Sequence, residues 1–111
     1  MNNLNTPTVS TAARMMSVEE ILTYDSPEWT NEHKVRAVLT KAYNEGKAKN
    51  WEGNWNWVYN YLRNYLDNPD TMQHHQKAGH VQILYILNNL KQWRGEDAKR
   101  AKEFLKKVIK V

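Results

Sequence analysis

Four histidines and a scatter of carboxylates are the side chains with the most evident capacity for chemistry. The histidines are His33, His74, His75 and His80. Two histidines that share a metal from one helix face stand three or four residues apart. His74 and His80 are six apart, and His75 and His80 five. There is no HExxH pattern and no convergent set of acids. His80, beside an apolar run, reads as a hydrogen-bonded core histidine, and Asp67 and Asp70 as helix-end and cap residues. The absence of cysteine removes disulfides, zinc knuckles, iron–sulfur clusters and thiol catalysis together. No glycine-rich phosphate loop, dinucleotide fingerprint or nucleophile elbow is present. The expectation is a non-enzymatic protein with no metal and no cofactor, one that acts by binding.

Binding residues are easier to find. Five Trp and six Tyr accompany a single Phe. Both side chains combine apolar area with a polar tip, which suits half-wet surfaces. They concentrate in residues 50–68, NWEGNWNWVYNYLRNYLDN. Advancing about 100° per residue puts Trp55, Val58, Tyr59, Leu62, Tyr65 and Leu66 on one broad face, the expected core side. Trp57 and Tyr61 fall on the other side, with Asn60, Asn64 and Asn68 beside them. Trp and Tyr are the favoured anchors of protein interfaces, and Asn supplies adaptable hydrogen bonds. Trp57, Tyr61, Asn60 and Asn64 are therefore the candidate partner-binding residues. Two alternatives stay open: another helix covers this second face, or a second copy of the chain meets it across a two-fold axis.

The formal net charge is +4, unevenly spread. From Lys91 to Val111, eight basic residues face three acidic ones, a net +5, so the remainder carries −1. Lys99, Arg100, Lys106, Lys107 and Lys110 lie on the arc opposite the apolar stripe of the last helix. One reading is a solvated face whose cations complement the helix dipole, with Glu103 four residues from both Lys99 and Lys107. The other is a stripe that tracks nucleic-acid phosphates.

These residues need helices to position them. At 111 residues the chain is one domain with one core. Four glycines and three prolines are few, and β-branched residues neither dominate nor alternate, which argues against an all-β fold. Residues 1–14 are small, polar and aperiodic and read as a disordered leader. Ser17 and Glu20 form a capping box for a short helix carrying Val18, Ile21 and Leu22. Ser26 and Pro27 read as the start of a second helix, ended by Gly46. A polar connection, Lys47 to Asn54, leads to a third helix from about Trp55 to Asp67. Thr71 reads as the cap of a fourth helix reaching Trp93, its first part weakened by Gly79 and its middle, Ile83 to Leu87, covered on several sides. Arg94 and Gly95 make a tight turn, and Glu96 and Asp97 open a fifth helix whose stripe is Ala98, Ala101, Phe104, Leu105, Val108 and Ile109. The expected architecture is all-α: a compact bundle of four to five helices over residues 15–111. No apolar run approaches the roughly 20 residues of a membrane helix. The absence of a signal-peptide pattern and of cysteine points to the cytoplasm.

The C-terminal segment LYILNNLKQWRGEDAKRAKEFLKK, a helix, a Trp-Arg-Gly turn and a second helix, resembles the ends of some short bacteriophage and mobile-element accessory proteins. The resemblance covers about the last quarter of the chain. It implies an inhibitor or adaptor that binds a host or defence protein complex in the host cytoplasm.

Overall fold

The computed structural model describes residues 6–51 and 55–110. It is all-helical, with six helices rather than four or five, and no strand occurs among the described residues. The extra helix lies largely in the second half of the segment 1–14 expected as a disordered leader, whose residues 1–5 lie outside the described residues. α1 spans Val9–Met15, and Thr8 caps it by accepting the Thr11 N–H at 3.0 Å. Its sequence carries little apolar bulk. Ala12 and Ala13 are nonetheless buried against α3, and Lys41 Nζ donates to the Ala13 carbonyl at 3.0 Å. Small residues let two helices approach closely, so tertiary packing supplies what the local pattern lacks.

α2 spans Val18–Thr23 and begins with the expected capping box. The Glu20 N–H donates to Ser17 Oγ at 3.1 Å, and the Ser17 N–H to Glu20 Oε1 at 2.8 Å. α3, Asn31–Lys49, starts later than Ser26 and Pro27 suggest. Those residues form a turn that delivers Trp29 into the core, where its indole N–H donates to the Ile21 carbonyl at 3.0 Å. Thr30 is the cap instead. His33 completes a capping box in the place a glutamate usually takes, its Nδ1 accepting the Thr30 N–H at 3.1 Å.

Gly46 does not end α3. It is buried inside the helix, and Asn50 terminates it in the left-handed conformation, φ 50°. Asn tolerates that region better than other residues with a β-carbon. Of the expected connection, Lys47–Lys49 belongs to α3, Trp51 is buried, and residues 52–54 lie outside the described residues. α3 is the central helix, in contact with α1, α2, α4 and α6.

α4, Trp55–Leu66, matches the expected span within a residue. Val58, Leu62 and Tyr65 are buried as the periodicity predicts, and Leu66 is half-buried. Tyr59, expected in the core, is 39% exposed, its ring 5.8 Å from that of Tyr43. The side chain of Trp55 lies outside the described residues.

α5, Lys77–Asn88, is shorter than expected at both ends. Thr71 does not cap it; residues 67–76 form turns in which the Gln76 amide oxygen accepts the Gln73 N–H at 2.8 Å. Gly79 is where α5 touches that loop: a β-carbon there would lie 2.0 Å from the Gln73 carbonyl oxygen. Leu90 and Trp93 are buried from the loop after α5, and Tyr85 is 46% exposed, so α5 is not covered all round. Gly95 turns the chain at φ 108°, a conformation other residues rarely adopt, and α6 runs Glu96–Ile109. α6 buries Ala98, Ala101, Leu105 and Ile109 and closes on α2, α3 and α5.

Candidate interaction surface

Three aromatic rings from two helices form one continuous ledge. Trp57 is 59% exposed and lies nearly parallel to Tyr61, ring centroids 6.5 Å apart and planes at 30°. The half-buried Tyr61 ring in turn lies 5.5 Å from Tyr85 of α5. The i, i+4 spacing of Trp57 and Tyr61 stacks them along α4. The junction to α5 is held by Gln82, a buried amide whose Nε2 donates to the Tyr61 carbonyl at 3.1 Å. That bond fixes α5 against α4 one turn from Tyr85.

Asn60 and Asn64 are exposed on the same side of α4. Asn64 is partly committed: its backbone and side-chain oxygens accept from Asn68 Nδ2 at 2.7 and 3.2 Å. Charge is sparse. Arg63 is the single charged residue of α4, and it is paired with Asp67 at 2.8 Å and placed over the Tyr43 ring. Lys77 alone carries a fixed charge on α5. The sequence pattern identified Trp57 and Tyr61 but missed Tyr85. Its aromatic identity inside an Ile/Leu run was the available signal.

The titratable residues meet elsewhere. Glu32 Oε2 accepts the Tyr65 hydroxyl at 2.7 Å and lies 3.0 Å from Arg36 Nε. Oε1 accepts the His74 N–H at 2.9 Å and lies 2.6 Å from His74 Nδ1. Arg36 also donates to the Tyr65, Leu66 and Met72 carbonyls and covers the Tyr65 ring. Burial alone would raise the Glu32 carboxyl, but the His74 and Tyr65 hydrogen bonds and the Arg36 charge outweigh it, so it ionises below its ordinary value. Burial, then the Glu32 carboxylate, pushes the Tyr65 phenol up. Every oxygen of Glu32 is engaged by the protein itself. This cluster pins the α4–α5 turns to the start of α3. Its one sequence signal was the i, i+4 pair Glu32 and Arg36.

His74, His75 and His80 line one cavity of about 520 Å³ with Val108, Ile109 and Lys110, although their spacing forbids a shared helix face. Among the described residues no three His, Asp or Glu side chains are arranged to hold a metal ion. His80 is half-buried at this cavity rather than in the core. Lys99, Arg100, Lys106, Lys107 and Lys110 are all exposed on α6 and its cap. Among the described residues no helix is long and apolar enough to cross a membrane. Comparison with protein-family models, with curated proteins and with solved structures gives no match.

Proposed function

We propose that this is a protein-binding module that works without chemistry of its own, using the Trp57–Tyr61–Tyr85 ledge to hold a protein partner. The observation that carries the reading is the exposure of Trp57, stacked on the Tyr61 ring of a helix whose backbone at Tyr61 is tied to α5 by a buried amide. A large, rigid aromatic side chain has few rotamers to lose on docking, which is how interface anchors work. Asn60 and Asn64 supply adaptable polar contacts at the rim. The near absence of charge favours a partner surface that is itself apolar and amide-rich. The resemblance of the C-terminal hairpin to phage accessory proteins suits an inhibitor or adaptor of a host or defence complex, acting in the cytoplasm.

The test compares wild type with a Trp57→Ala/Tyr85→Ala double variant, as bait for proteins of the native cell, after nuclease treatment. The reading expects a specific protein band that the variant loses while its helix content by circular dichroism is unchanged. Equal capture by a folded variant rejects the ledge. Concentration-dependent sedimentation of wild type, abolished in the variant, would identify the occupant as a second copy of this chain.

A further inference from the structure

The outward face of α6 has two edges of different character. On one edge, Arg100 lies 3.7 Å from Glu19 of α2 and 3.6 Å from Glu96, and Glu103 and Lys107 line the same cleft with Glu19. Cations there have acids as neighbours. The other edge carries Lys99, Lys102, Lys106 and Lys110, within roughly 80° of arc at 100° per residue. Among the described residues, Arg100 is the one cation of α6 with a carboxylate at ion-pairing distance; Lys99, Lys102, Lys106 and Lys110 have none, nor have Lys107 and Arg94, and Glu103, four residues from both Lys99 and Lys107, stands between the two edges. Lys102 is fixed in place, its Nζ donating to the Trp93 carbonyl at 2.7 Å. Burial, then the charges of Lys106 and Arg94, holds its amine below its ordinary value. The four follow one another along the axis in steps of about 4.5 to 6 Å over a length of about 16 Å from the helix rise.

We propose that this edge binds the phosphate backbone of duplex nucleic acid without reading base sequence. A row of lysines without ion-pair partners complements a line of phosphates, and an arriving polyanion relieves the repulsion around Lys102. Lysines lack the fork that reads guanine edges, so the contact positions without specifying. Phe104, the one aromatic residue of α6, lines the opposite edge, so unpaired bases have no ring to stack on. A membrane surface fits less well, because the apolar stripe of α6 is spent in the core and cannot insert. The residues differ from those that composition alone selected: Lys102 enters, and Arg100 and Lys107 drop out.

The test is fluorescence anisotropy with a mixed-sequence DNA duplex of about 25 base pairs, titrated at several salt concentrations. Two charge-matched double variants are compared, Lys99→Gln/Lys106→Gln and Arg100→Gln/Lys107→Gln. All four positions are exposed, and unchanged circular dichroism checks the fold. Wild type should bind with a log–log salt slope of about −3, and the first variant should lose about tenfold in affinity and about two units of slope. The second should lose no more than about threefold. Equal losses in both variants would reduce the effect to net charge and overturn the assignment. So would salt-independent binding, or affinity for anionic lipid vesicles or polyglutamate equal to that for DNA.

Discussion

Asp97 Oδ1 accepts the backbone N–H of Val18 at 3.2 Å, across 79 residues of chain. An acid in the first turn of α6 thus caps the first turn of α2 while complementing the dipole of its own helix. Removing it should cost both helices. Asp97→Ala is expected to lower stability by about 1 kcal/mol in urea unfolding. Glu96→Ala, one residue earlier and exposed, should cost no more than a few tenths, because its contact with Arg100 is long and wet. Equal losses would show that the dipole rather than the Val18 bond matters.

Gly79→Ala tests the contact between α5 and the preceding loop. Helix propensity alone favours Ala by about 1 kcal/mol. The added β-carbon would meet the Gln73 carbonyl oxygen at 2.0 Å and its amide nitrogen at 2.9 Å, all of it backbone. The clash wins, and a net destabilisation of about 2 kcal/mol is expected from the midpoint of urea denaturation. A stabilised variant would mean that the 73–76 turn gives way freely.

The Glu32 cluster makes acid stability predictable in sign. Its folded carboxyl ionises below the ordinary 4.5, so the stability it contributes is complete above that value and lost as pH falls through the folded one. At pH 7, Glu32→Gln should cost about 2 kcal/mol, since Arg36 loses its charge partner and the Tyr65 hydroxyl loses a carboxylate acceptor. The gap between wild type and variant should narrow as pH falls below 4.5 and on through the lower folded value. A gap that is constant with pH would remove the carboxylate charge from the account.

Two tryptophans should respond oppositely to truncation. Trp29→Ala removes a buried ring and the indole donor to the Ile21 carbonyl, and should cost about 4 kcal/mol. Trp57→Ala removes a ring that is 59% exposed and should change stability by no more than about 0.5 kcal/mol. Thermal melts of the two variants suffice. A large loss at Trp57 would convert the ledge from an interaction surface into core.

What was legible in the chain was what a few neighbouring residues decide among themselves. The Ser17–Glu20 box, the span of α4 and the Gly95 turn into α6 depend on local hydrogen bonds and on one periodicity. The start of α3 was a contest between two good caps, Ser26 and Thr30, settled by a remote event, the burial of Trp29 under Ile21. α1 escaped notice because alanines announce a close helix contact only once the opposing helix is in place. The candidate surface divides the same way. Trp57 and Tyr61 follow from rotation along a single helix, whereas Tyr85 joins them only through the packing of α5 on α4, and the Glu32 cluster draws on three separate segments.

The closure of α6 on α2 also sets the order in which the domain can assemble. Contacts of α3 with α4, α4 with α5, and α5 with α6 join neighbours in the chain, and their loops close quickly and cheaply. The α2–α6 contact alone among the outer pairs spans most of the molecule. It carries the largest loop-closure cost of these contacts and forms after them. A partly unfolded chain would hold α3 to α6 together with α2 not yet latched onto α6. In kinetic experiments, substitutions along the α2–α6 seam should accelerate unfolding while leaving the folding rate nearly untouched.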